Sequence, residues 1–311
     1  MTVTVCDRQG DAVAAPLKRR IILAEVAGFC FGVRRAVEKT QAARRDRAGQ
    51  LTVLGPLVHN SQVIERLKES GVETAGSMNE VPVGTVVVSA HGAAPIVLRQ
   101  AQERGLDLID TTCPFVSKVH RSAKLLVQQG YHVLLVGDPG HTEVAGVIGA
   151  IEEIGGSIDL VSSPDQVAAI QLGKKVGIVS QTTQQSENFA RIVAEVCKSV
   201  PDVRALNTVC NATEELQEAA VRLARQCDTV LVIGGSASAN TRRLRKLCEE
   251  QGVPAYHIET AADIDMTWLE GKRVVGLTAG ASTPDWMIEG VARAVNGGDL
   301  PEDWSLRHPD E

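Results

Sequence analysis

The sequence predicts an α/β protein of short, mainly parallel strands with helices on both faces. Three observations carry this. Short β-branched runs alternate with amphipathic stretches along the chain. Glycine is abundant at 28, against four Phe, three Trp and two Tyr, as tight strand-to-helix turns require. Several strands run directly into loops rich in Gly, Ser, Thr, His or Asn. Repeated helix-opening cysteines further divide the chain into three αβα units at 19–113, 114–208 and 209–292, flanked by polar tails at 1–18 and 293–311.

Strands are expected at 21–24, 51–54, 85–90, 106–109, 132–136, 158–161, 175–179, 229–233 and 273–277. Helices lie between them. Val63 and Leu67 mark one that Glu69, Ser70 and Gly71 close. Val193, Val196, Cys197 and Val200 mark another, and Leu216, Ala219, Ala220 and Leu223 a third. Lys18, Arg19 and Arg20 before Ile21 look like the start of an export signal, but Glu25 and the Arg34-Arg35 pair interrupt the apolar run. The expectation is therefore a cytoplasmic chain whose seven cysteines are free. No apolar run has the length of a membrane span. A net charge of −6 argues against a nucleic-acid-coating protein.

Context separates the cysteines. Cys30 opens a helix in Gly28-Phe29-Cys30-Phe31-Gly32, Cys113 precedes Pro114, and Cys210 precedes Asn211 and two early acids. A helix start lowers a thiol's pKa, so thiolates are expected at all three. Cys197, Cys227 and Cys248 fall within or at the ends of helical patterns, and Cys6 lies in the tail; these read as small hydrophobes. Three thiolates suit an iron–sulfur cluster with one iron open to substrate. Zinc with three thiolates and a water is the competing metal reading.

Five loops could hold an anion at a helix start: those beginning at Ser89, Gly137, Ser180, Gly234 and Thr278. Neither a Walker loop nor a dinucleotide fingerprint is present. His59 follows Gly55-Pro56-Leu57-Val58, His91 stands at a strand end and His141 two residues before Glu143, whereas His120, His132, His257 and His308 read as structural or exposed. His141 and Glu143 form a candidate proton-delivery pair.

These motifs resemble the 4-hydroxy-3-methylbut-2-enyl diphosphate reductase family of the non-mevalonate isoprenoid pathway. The resemblance runs from about Ile21 to Val291. It rests on Gly28-Phe29-Cys30, Gly55-Pro56-Leu57-Val58-His59-Asn60, Ala90-His91-Gly92, Asp110-Thr111-Thr112-Cys113-Pro114, Gly140-His141 with Glu143-Val144, Gln181-Thr182-Thr183, Cys210-Asn211-Ala212-Thr213, Ser238 with Asn240-Thr241, and Thr278-Ala279-Gly280-Ala281-Ser282. It implies three units about a pseudo-threefold axis, closed over a central [4Fe-4S] cluster on Cys30, Cys113 and Cys210. It also implies a diphosphate site on His59, His91, His141, Ser238, Asn240 and Ser282, with Glu143 and Thr182 delivering protons. The implied reaction removes an allylic hydroxyl as water with two electrons from a ferredoxin or flavodoxin, giving isopentenyl and dimethylallyl diphosphates.

The chain departs from the family pattern at Ala94, Thr142, Ala145, Leu216 and Ala239. Two other classes fit the thiols: an open-iron hydro-lyase or quinolinate-synthase-like enzyme, and a non-catalytic cluster-bearing sensor.

Overall fold

The computed structural model describes residues 19–47 and 49–309. The 1–18 tail and Cys6 lie outside the described residues. Three four-stranded sheets, parallel throughout, form the framework. The first orders β3 (Val72–Ala75), β2 (Leu51–Leu54), β4 (Thr85–Val88) and β5 (Asp107–Asp110). In the second the order is β7 (Ile158–Val161), β6 (His132–Val136), β8 (Lys175–Ser180) and β9 (Asp202–Ala205). The third repeats the plan with β11 (Ala255–Ile258), β10 (Thr229–Ile233), β12 (Val274–Ala279) and β1 (Arg20–Leu23).

The helices cover both faces of these sheets. They are α1 (Phe31–Asp46), α2 (Ser61–Glu69), α3 (Pro95–Glu103), α4 (Pro114–Gln128) and α5 (Thr142–Glu152), then α6 (Ser186–Cys197), α7 (Asn211–Ala224), α8 (Ala239–Glu250) and α9 (Asp285–Val295). Central strands such as β6 and β10 are apolar almost throughout, β10 buried along its whole length and β6 from Val133 onward, as strands covered on both faces must be. Among the described residues no helix is long and apolar enough to cross a membrane.

The unit boundaries differ from the sequence expectation at both ends. β1 does not join the first unit: it pairs with β12 as the edge of the third sheet. Among the described residues the first strand thus belongs to the last unit, which links the two ends of the fold. The 293–311 segment is not wholly a tail either. α9 runs to Val295, Leu300, Trp304 and Leu306 pack on the third unit's core, and the Ala27 N–H donates to the Arg307 carbonyl at 2.9 Å.

The three strands absent from the sequence reading, β3, β9 and β11, are all sheet edges. Each mixes polar and apolar residues, as in Val-Glu-Thr-Ala of β3, because an edge strand is only partly covered.

Close backbone approach joins the third unit to the first. A Cβ on Gly235 would collide with the His59 carbonyl oxygen and lie 2.9 Å from Asn60 Cα. Gly235→Ala should therefore destabilise the fold by about 1–3 kcal/mol, the usual cost of overpacking. Gly290→Ala, within α9 and with nothing within 4 Å of the new methyl, should be neutral or stabilising by about 0.5–1 kcal/mol. Urea unfolding of both variants checks this, and equal midpoints would contradict it.

Candidate active site

Each edge strand that closes a sheet, β5, β9 or β1, leads to a cysteine that caps the next helix. Cys30, Cys113 and Cys210 are the N-caps of α1, α4 and α7, all with extended backbone. Their amides are anchored alike. Cys30 N–H donates to Ala281, Cys113 to Ala90 and Cys210 to Thr182, at 3.1, 3.0 and 3.0 Å, each acceptor lying just beyond a central strand. A buried threonine stands two residues before two of the thiols. Thr111 Oγ1 donates to the Val88 carbonyl at 2.5 Å, and Thr208 Oγ1 to the Ser180 carbonyl at 2.6 Å.

The three thiols face one cavity of roughly 700 Å³ including its mouth. His59, His91, His141, Glu143, Thr182, Ser238, Asn240 and Ser282 line the same cavity, so every site residue singled out in the sequence is brought together there. The four remaining histidines do not line it. Six loops contribute, two at the carboxyl ends of the central strands of each sheet, where parallel α/β sheets bind ligands.

Three imidazoles from two units form one cluster. His59 stacks on His91 with ring centroids 3.9 Å apart, and His141 meets both rings edge-on at 5.0 and 5.8 Å. His141 caps α5 through Nδ1, which accepts the Glu143 N–H at 3.2 Å. That bond leaves the neutral ring's proton on Nε2. Burial, with His141 and Arg242 nearby, pushes the His59 pKa down to about 4. Burial and the two neighbouring rings hold His91 well below its ordinary value, and burial lowers His141. Arg242, on α8, is a contributor the sequence reading missed; it directly follows the Ser238-Ala239-Asn240-Thr241 run.

Ser238 caps α8 by accepting the Thr241 N–H at 3.2 Å, which leaves its own hydroxyl proton to donate. Ser282 already donates to the His59 carbonyl at 3.2 Å and must turn to reach a ligand. His91 Nε2 and both amide atoms of Asn240 are buried without a hydrogen-bond partner among the described residues. Orphaned buried polar atoms are costly and point to a polar ligand.

Glu143 is 2 % exposed. Its Oε1 accepts from the Thr182 N–H at 2.8 Å and its Oε2 from Thr182 Oγ1 at 2.7 Å. Burial outweighs these two bonds and pushes its pKa up to about 7. The expectation of thiolates created by helix starts is corrected for two cysteines. Burial raises the Cys113 thiol and pushes Cys210 up to about 12, despite backbone N–H groups that act the other way.

Polar clamps cross the seams between units. Arg243 of α8 donates to Asp138 Oδ1 at 3.2 Å and to Gln184 Oε1 at 2.8 Å, tying the third unit to two loops of the second. Glu259 accepts from Ser61 Oγ and the Ser236 N–H, both at 2.7 Å, tying the third unit to the first. Arg99 pairs with Glu153 between the first and second.

The departures from the family pattern have local settings. Ala94 packs on Gly149, where a Cβ would come within 2.9 Å of its own, so a larger side chain would crowd that seam. Leu216 is fully buried in the third unit's core. Thr142 Oγ1 approaches His59 Nε2 at 3.5 Å, Ala145 is exposed, and Ala239 lines the cavity.

Residues 21–296 match the family model described as LytB protein. The chain belongs to the LytB family. A family relative from Pelobacter propionicus, 4-hydroxy-3-methylbut-2-enyl diphosphate reductase, is 43% identical over 88% of this chain and 96% of its own. A solved LytB-family structure of (E)-4-hydroxy-3-methyl-but-2-enyl diphosphate reductase, the terminal enzyme of the non-mevalonate pathway, shares 40% identity, covering 90% of this chain and 99% of its own, with a TM-score of 0.67. The Plasmodium falciparum E-1-hydroxy-2-methyl-but-2-enyl-4-diphosphate reductase aligns at 28% identity over 94% and 92% of the two chains, with a TM-score of 0.85.

In this LytB-family site the raised Glu143 pKa has a stability signature. Because the folded state favours the protonated acid, its contribution is complete below the ordinary value of 4.5 and is lost as pH rises through about 7. Gln is neutral at every pH. In the metal-free protein, the stability of Glu143→Gln relative to wild type should therefore rise from about pH 5 to about pH 8, by up to about 3 kcal/mol at 1.36 kcal/mol per pKa unit. Thermal melts across that range check it; a pH-independent difference would contradict it.

Proposed function

We propose that this chain reductively removes the allylic hydroxyl of 4-hydroxy-3-methylbut-2-enyl diphosphate, giving isopentenyl and dimethylallyl diphosphates. The carbon–oxygen bond breaks, a carbon–hydrogen bond forms, and two electrons and two protons are consumed as the oxygen leaves as water. Electrons come from a protein donor of ferredoxin or flavodoxin type. The observation that carries the reading is the convergence on one cavity of three capping thiols, orphaned buried donors and a buried acid near neutral pKa.

The thiols fit a [4Fe-4S] cluster. Three N-cap thiols, one from the first helix of each unit, line a single cavity, which suits a cluster that normally takes four thiolates. Burial holds the Cys113 and Cys210 thiols protonated, the condition that binding to a metal reverses by displacing the proton. When bound, such a cluster supplies electrons and, at the iron without a protein ligand, a Lewis acid for the hydroxyl.

The chain's own groups divide the rest. His59, His91, His141, Ser238, Asn240 and Ser282 bind and orient the diphosphate from all three units. Glu143, protonated to a useful degree at neutral pH, carries a proton toward the leaving oxygen. Thr182 fixes both carboxyl oxygens and so aims that proton. A hydro-lyase would need no electrons, and a sensor would have no task for a buried acid of this kind.

An anion favours imidazolium, so diphosphate binding should raise the three depressed histidine pKa values and draw protons from solvent. Inorganic pyrophosphate should bind more tightly as pH falls from about 8 to about 6, with proton uptake that His59→Ala reduces. Calorimetry in two buffers of different ionisation enthalpy measures both. Equal affinity and uptake in wild type and His59→Ala would remove His59 from the site.

The test of the activity itself is anaerobic turnover with reduced methyl viologen. Wild type should form the two diphosphate products, and Glu143→Gln should turn over at least about a hundredfold more slowly while keeping its cluster. Inactive wild type with an intact cluster would overturn the assignment; a fully active Glu143→Gln would leave Glu143 as structure alone.

A further inference from the structure

Each unit holds two of the three thiols, one beyond its last strand and one at the start of its first helix. In the first unit these are Cys113 and Cys30, and α1 reaches directly across to the segment that carries Cys113. Arg35, five residues after Cys30, donates through Nη1 to the Thr112 carbonyl at 3.2 Å and the Thr111 carbonyl at 3.4 Å. Lys39, one turn further, donates through Nζ to the Asp110 carbonyl at 3.0 Å. Gly32 completes the contact, because a Cβ there would collide with Cys113 Sγ. α1 therefore grips three successive carbonyls leading to Cys113 while its own N-cap presents Cys30. At the same offset the other helices carry Lys118 after Cys113 and Glu215 after Cys210, so the guanidinium belongs to the first unit alone.

We propose that Arg35 is a positioning residue that sets the spacing of the Cys30 and Cys113 thiols and fixes a positive charge beside the metal group they hold. The proposal rests on the cluster reading above. A guanidinium suits the task because it stays charged and presents several donors in a rigid fork. Groups that orient metal ligands from behind are worth roughly 10–100-fold in metal affinity. A fixed cation also favours the more negative, reduced form of a nearby cluster, so it raises the reduction potential.

The test compares wild type, Arg35→Met, Arg35→Lys and Lys39→Ala as anaerobically purified full-length protein. Iron loss to a chelator is followed together with the cluster's midpoint potential. Arg35→Met, which keeps the aliphatic stem, should lose iron roughly tenfold faster or more and shift the potential to more negative values. Arg35→Lys should restore most of the potential and part of the retention. Lys39→Ala, at an exposed site, should move retention in the same direction by less, and it serves if Arg35→Met does not fold. Hydrogen exchange of the 107–116 segment in metal-free protein should be faster in Arg35→Met. A folded Arg35→Met with wild-type iron loss and potential would overturn the proposal. If wild type held no cluster, the cofactor reading would fail on its own, and unchanged exchange in metal-free Arg35→Met would then overturn the positioning role separately.

Discussion

The structure depends on one repeated junction, in which an edge strand passes through a cysteine into the first helix of the next unit. An N-cap residue keeps extended backbone while its carbonyl already serves the helix, so each cysteine joins the segment that follows an edge strand to the next helix. At each junction the cysteine amide is pinned to the loop beyond a neighbouring central strand: Cys30 to Ala281, Cys113 to Ala90 and Cys210 to Thr182. Every thiol is thereby fixed at a seam between two units. The same geometry points the carboxyl ends of all three sheets toward one space. β1 completes the third sheet for this reason: without it, the junction at Cys30 would have no edge strand behind it.

Several ionisable groups lining that space are shifted toward their neutral forms. Burial lowers the three histidines and raises Glu143, Cys113 and Cys210. The pattern has a common physical cause, since desolvation disfavours the charged form whatever its sign. It also defines what would complement the site: an anion would restore charge to the imidazoles, and a metal would displace protons from the thiols. Glu143 lines the same cavity with its carboxyl fixed by Thr182. The clamps at Arg243–Asp138, Glu259–Ser61 and Arg99–Glu153 hold the units around the site without lining it, so they set the arrangement and leave the chemistry to the cavity.

Much of this is legible in the sequence. Buried strands such as β6 and β10 read clearly because an apolar run is what burial on both faces demands. The capping cysteines are recognisable from the residues that come directly after them, Pro114 beyond Cys113 being the plainest. The loops at His91, His141, Ser238 and Ser282 carry their polar residues in plain view. Edge strands β3, β9 and β11 are hidden because partial exposure permits mixed residues. The placement of β1 is hidden because pairing with β12 is non-local. The sign of the thiol shifts misleads because helix-start effects are local and visible in sequence, whereas burial is collective. Arg35 looks like one of many basic residues on α1; only its contact with the 110–112 carbonyl run, shared with Lys39, distinguishes it.

The proposed function stands or falls on three thiols holding a cluster with one iron left for the substrate. Mössbauer spectroscopy of protein purified without oxygen, with iron and sulfide content determined on the same sample, tests it most directly. The expected result is a [4Fe-4S] signal in which one iron site differs from the other three and shifts when the allylic diphosphate is added. Four equivalent irons unaffected by substrate, or stoichiometric zinc with no sulfide, would contradict it.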